Sequence, residues 1–280
     1  MNELPLVFGP LSNLIGMLAL PVLEGSPPLA VLLFNAGVVP RIGPHRLNVR
    51  LARALAAAGH ACLRFDLAGH GDSKGVAGES DFRVQSVADL RCAMDHLERT
   101  HGIRRFALLG VCSGAVAAFS AALADPRVAG VLMFDGHWYR SRWTTLVWRW
   151  KRLRHATWPM LAASLRRRLA ARGKSAPPPS LFEAGPAPAN PPREVFASGL
   201  QALVEREVSV LLMYSGSVME CYSYRAQFRD VFGREPFFDA VRCEFHPDID
   251  HTFLTGEMQR RMVERVRAWA DEVAARLRSP

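Results

Sequence analysis

The sequence predicts an α/β fold built on a mostly parallel, doubly wound sheet. Two observations carry this: short apolar runs recur along the 280 residues, and helix-patterned stretches separate them. Hydrophobic residues make up 49% and charged residues 22% of the chain, a globular balance. No apolar run reaches the roughly 18 residues of a membrane span. The length allows one core with an insertion.

The expected strands are 29–34, 61–65, 106–109, 128–134, 208–214 and 241–245, with one or two edge strands in 5–23. Between the first two runs, Leu47, Leu51 and Leu55 mark one face of a helix that stops at Gly59, which completes a βαβ unit. Ser80 and Asp81 are candidate caps for a second helix starting near Phe82, with Val87, Leu90, Met94 and Leu97 inward. A helix around 192–205 returns the chain to the sheet. Another follows Gly256, with Met262, Val266, Trp269 and Val273 facing the core.

The spacing breaks between Phe134 and Val208. The expected organisation is therefore a core of 1–135 and 206–280 carrying a lid-like insertion at 136–205. The insertion holds five of the six tryptophans (138, 143, 148, 150, 158). Residues 140–174 hold eleven Lys and Arg, with no Asp or Glu between 136 and 182. Seven of the nineteen prolines fall in 176–193, which reads as extended chain. Removing those eleven cations from the net charge of +9 leaves −2, so the basicity is local and does not mark the whole surface for nucleic acid.

Five cysteines without a C-x-x-C pair argue against a disulfide framework or structural zinc site, and reduced thiols are expected. The N-terminus lacks a basic and apolar leader, so the expected compartment is the cytoplasm. No cofactor or metal is expected.

Four motifs follow one another in an informative order. The run 106–109 leads into Gly110-Val111-Cys112-Ser113-Gly114, a strand–turn–helix context in which flanking glycines make room for a strained central residue. Phe65-Asp66-Leu67-Ala68-Gly69-His70-Gly71-Asp72-Ser73 follows the second parallel strand. Asn35-Ala36-Gly37-Val38 follows the first, and Asp250-His251-Thr252-Phe253 precedes the final helix. In this order they resemble the α/β-hydrolase superfamily from Leu29 onward. A cysteine at the elbow is similar to dienelactone hydrolases and to the thioesterases and acyltransferases that use a thiol.

The resemblance implies Cys112 as nucleophile and His251 as base. It also implies an oxyanion hole from backbone N–H groups at Gly37 or Val38 and at Ser113. Ser113 stands one position past the apex and is the weaker nucleophile. The acid is open. The loop after 208–214 has no Asp at the expected offset, which leaves Asp135 at the end of 128–134, Glu220, and more remotely Asp250. His137, Trp138 and Trp143 are candidates to line the substrate pocket beneath the lid.

The expected activity is acyl transfer or hydrolysis on a small thioester, ester or lactone by a Cys-His-Asp triad. The basic insertion would accept an acyl carrier protein, coenzyme A or an anionic membrane; nucleic acid would leave the elbow without a role. The alternative is a non-catalytic protein that binds an acyl ligand or carrier.

Overall fold

The computed structural model describes residues 2–22, 27–75, 81–154 and 190–278. These contain one eight-stranded sheet. Its strands are β1 (Asn2–Phe8), β2 (Leu14–Leu20), β3 (Ala30–Leu33), β4 (Ala61–Phe65), β5 (Phe106–Val111), β6 (Val128–Phe134), β7 (Ser209–Ser215) and β8 (Arg242–His246). Their spatial order is β1-β2-β4-β3-β5-β6-β7-β8. β1 and β2 form an antiparallel edge, and β2 runs against β4; from β4 to β8 all pairs are parallel. The loops leaving β3 to β8 therefore share one sheet edge, where ligands of open α/β sheets bind.

The helices are α1 (Leu47–Ala57), α2 (Phe82–His101), α3 (Ser113–Ala124), α4 (Thr144–Arg154), α5 (Arg193–Glu205), α6 (Gln227–Phe232) and α7 (Gly256–Arg278). The stripes read from the sequence face inward: Leu47, Leu51 and Leu55 on α1, Leu90, Met94 and Leu97 on α2, and Met262, Val266, Trp269 and Val273 on α7 are all buried, while Val87 is half-buried. Helices α1 and α7 cover one face of the sheet; α2, α3 and α5 cover the other. The parallel strands β3, β5 and β7 are buried along their whole length, which explains runs of Val, Leu and Ala without alternation, whereas the edge strand β8 is only partly covered. Asp81 caps α2 by accepting the Arg83 N–H at 2.8 Å, and Gly102 closes it with φ 68°. Ser80, the other candidate cap, lies outside the described residues.

Two differences from the sequence reading bear on the site. Strand β5 runs on to Val111, two residues past its expected end, so the turn is confined to Cys112. Nothing in the sequence reading marked α4, whose Trp and Arg residues gave no inward face to detect. Within the insertion, the proline-rich stretch up to 189, Trp158 and the cations from 166 to 174 lie outside the described residues. Its two feet are tied together: Asn190 Nδ2 donates to the Trp138 carbonyl at 2.8 Å, and Tyr139 OH to the Pro191 carbonyl at 2.8 Å.

Candidate active site

Cys112 stands between β5 and α3 with φ 56° and ψ −121°, a conformation costly for any residue with a side chain. The glycines around it permit the sharp turn. A Cβ on Gly110 would meet the Gly114 carbonyl oxygen at 2.2 Å, and one on Gly114 the Asn35 carbonyl oxygen at 2.6 Å. The Cys112 N–H donates back to the Phe134 carbonyl at 2.9 Å, fastening the turn to β6.

Asp135, directly after β6, also has a positive φ, 49°. Its carboxylate is buried and accepts three hydrogen bonds: from Ser215 N–H at 2.7 Å, from Ser215 Oγ at 2.6 Å, and at 2.7 Å from His251 Nδ1, which acts as donor to the carboxylate. The His251 loop is pinned separately. Its N–H donates to Ser217 Oγ at 2.9 Å, and Asp250 accepts from Thr252 N–H at 2.7 Å and Leu254 N–H at 3.2 Å. Asp250 thus shapes the loop and does not meet the imidazole. Glu220 is exposed, and the structure gives it no bond to His251.

Cys112, His251 and Asp135 are thereby brought together from three separate loops. The hydrogen bond to Asp135, and next that to Cys112, push the His251 imidazole up to about 10, against the opposing effect of burial. The same His251 contact holds the Cys112 thiol below its ordinary value, helped by the Ser113 N–H and opposed by burial. The other four thiols move the opposite way because burial disfavours their thiolates; Cys243 is pushed up to about 12. A lowered thiol beside a raised imidazole is the setting of a thiolate–imidazolium pair.

The oxyanion candidates are less free than the sequence implies. The Gly37 N–H donates to Ser113 Oγ at 2.9 Å, so the serine hydroxyl occupies one expected donor. The Ser113 N–H, in the first turn of α3, is among the groups that lower the Cys112 thiol. Val38 is exposed. Asn35, which the sequence reading did not single out, holds this loop to the next: its Oδ1 accepts the Leu67 N–H at 2.6 Å, and its Nδ2 donates to Asp66 Oδ1 at 3.3 Å. Asp66 is fully buried and also accepts the Arg41 N–H at 2.6 Å and the Asp72 N–H at 3.2 Å. These donors, two backbone N–H groups and the buried Asn35 amide, explain why the turn needs this acid at this point.

The three pocket candidates are placed differently. His137 is buried between Phe119 and Phe196, with Nδ1 against Asn190 Oδ1 at 3.2 Å, and burial holds its imidazole below the ordinary value. It joins the insertion's feet to the core. Trp138 is half-buried against the core. Trp143 is exposed, with the Arg142 guanidinium over its ring. Among the described residues, no group of three or more His, Cys, Asp and Glu is placed to hold a metal ion.

Known proteins agree with this architecture. A solved α/β serine hydrolase without lid from Xanthomonas campestris superposes with a TM-score of 0.52 at 16% identity, over 100% of this chain and 96% of that one. The esterase domain of a Rhodothermus marinus protein gives 0.54 at 17% identity, covering 96% and 98%. An esterase from Pyrococcus furiosus gives 0.57 at 13% identity, covering 98% and 91%. At these identities the likeness is one of fold. No curated protein sequence matches the chain. The family model described as serine aminopeptidase, S33, matches residues 29–176, from the start of the parallel sheet through the elbow and into the insertion. The chain belongs to the serine aminopeptidase S33 family of hydrolases.

Proposed function

We propose that this chain is an acyl-transfer hydrolase with Cys112 as nucleophile, His251 as acid and base, and Asp135 as the carboxylate orienting the imidazole. The observation that carries the reading is the position of His251, whose Nδ1 bonds the buried Asp135 carboxylate at 2.7 Å and whose proximity lowers the Cys112 thiol. The family is named for a serine, and Cys112 replaces it at the apex. Ser113 begins α3, and its hydroxyl is engaged by Gly37.

In the first half-reaction the Cys112 thiolate attacks the carbonyl carbon of a thioester, ester or lactone, forming a C–S bond while the carbonyl oxygen takes the charge. The Ser113 N–H, in the first turn of α3, is the donor for that oxygen; the Gly37 N–H joins it when Ser113 Oγ yields. Collapse expels the thiol or alcohol, which takes its proton from His251. Water or another nucleophile then gives a proton to His251, attacks the thioester carbonyl and releases Cys112.

Mass spectrometry tests this on protein mixed briefly with a panel of acyl thioesters and activated esters. An acyl mass on the Cys112 peptide, discharged with time and absent from Cys112→Ala, is the expected result. The alternative, a non-catalytic acyl-binding protein, is favoured by one observation, the Gly37 N–H already occupied by Ser113. Saturable acyl binding without any adduct would establish it and overturn the catalytic reading.

A further inference from the structure

Helix α4 carries two opposed faces. The inner one is fastened to the loop before α6: the Thr144 carbonyl accepts Ser223 Oγ at 3.1 Å, Lys151 Nζ donates to the Ser223 carbonyl at 2.6 Å, and its ammonium lies 5.3 Å from the Phe245 ring centre. The outer face is apolar. Leu146, Trp150 and Leu153 recur at helical spacing, with Trp143 one residue ahead of the helix, and are 57%, 58%, 65% and 45% exposed respectively. Large apolar side chains gathered on one exposed stripe mark a binding surface.

Charge flanks the stripe. Arg142, Arg149, Arg152 and Arg154 are exposed and have no acidic partner among the described residues. Two of them stack on the stripe itself, Arg142 4.9 Å from the Trp143 ring centre and Arg154 5.3 Å from that of Trp150. Tryptophan and arginine on a helix with an apolar face are the composition of a segment lying in the headgroup region of a bilayer. At 11 residues α4 is too short to cross one, and no described helix is long and apolar enough to do so.

We propose that α4 docks the protein flat on the surface of a bilayer containing anionic lipid. Charge complementarity selects this occupant. A second copy of the chain would set one basic helix against another, and an acidic protein would satisfy the arginines while leaving Leu146, Trp150 and Leu153 to find apolar cover. The docking also orients the enzyme. The chain reaches α4 from the end of β6, the sheet edge that holds Asp135, and on that same edge Val38 after β3 and Leu254 after β8 are 77% and 65% exposed. The mouth of the site would therefore face the lipid. The proposal does not depend on which residue is the nucleophile.

Co-sedimentation of the full chain with phosphatidylcholine vesicles, with and without phosphatidylglycerol, tests it. Expected are binding to the anionic vesicles alone, a blue shift of tryptophan emission, and about fivefold weaker binding for each arginine neutralised in Arg149→Gln and Arg152→Gln. Trp150→Ser with Leu153→Ser should abolish binding with an unchanged thermal midpoint, since both side chains are exposed; Cys112→Ala should bind as well as the wild type. Failure to bind anionic vesicles at low salt overturns the proposal. So does binding indifferent to the stripe and arginine variants, or a chain that ignores vesicles yet forms a complex with a purified acidic carrier protein.

Discussion

Ser215 clamps Asp135 with both of its donors, the backbone N–H at 2.7 Å and the hydroxyl at 2.6 Å. The carboxylate is thus fixed from the neighbouring strand before His251 reaches it. The last residue of β7, just before the loop where the superfamily pattern has an acid and this sequence has no Asp, supplies this clamp instead. Ser215→Ala should cost about 1 kcal/mol of stability through the lost hydroxyl bond. It should also slow acylation of Cys112, which stopped-flow measurement of adduct formation would detect.

Asp135→Asn should do far more. The amide cannot accept from both Ser215 and His251 as the carboxylate does, and loss of imidazole orientation should slow acylation by about 10³- to 10⁴-fold. Single-turnover rates with an activated ester, on protein whose circular dichroism matches wild type, check this.

Alkylation should distinguish Cys112 by pH. Its thiol is lowered by the contact with His251, whereas Cys62, Cys92, Cys221 and Cys243 are raised by burial. Iodoacetamide near neutral pH should therefore label Cys112 first, and His251→Ala should remove the preference. Stability follows the sign of the His251 shift. A raised folded value means that the contribution is complete below the ordinary histidine value of about 6.5 and is lost as pH climbs toward about 10. Denaturant titrations should show the wild type losing more stability than His251→Ala across that interval.

Gly110→Ala should cost about 3 kcal/mol or prevent folding, because the added carbon would stand 2.2 Å from the Gly114 carbonyl oxygen, a backbone atom at the start of α3. A thermal melt measures it.

Asp66→Ala should be comparably severe, about 3 kcal/mol, since it leaves the Arg41 side chain without the buried acid it pairs with and frees the loop carrying Gly37. Asp66→Asn should recover part of this, because it keeps the acceptor for the Arg41 N–H. Chemical denaturation of the two variants compares them.

Much of this was legible in the sequence because burial on both faces of a parallel sheet writes itself as continuous apolar runs, and because the strained turn at Cys112 demands glycines at fixed offsets. Asp135 could be read as a carboxylate with no packing reason to end a buried strand. Ser215 could not, since a hydroxyl acquires its partner only once β7 is set beside β6, where the Asp135 N–H meets the Met213 carbonyl at 2.9 Å. The same holds for Asn35 and Asn190, whose amides bridge loops far apart in sequence. The exposure of Trp143 was hidden for a related reason: composition reveals an apolar residue, but only the docking of α4 through Thr144 and Lys151 decides which side faces out.

The tied feet of the insertion give the fold a tolerance of its own. With Trp138 bonded to Asn190 and Tyr139 to Pro191, the sheet meets everything between them as a span whose ends already touch. Closing a span costs free energy only as the logarithm of its length, so a doubling of length changes stability by about 0.6 kcal/mol. The length of chain between those two ties thus bears little on the sheet that carries Cys112, Asp135 and His251.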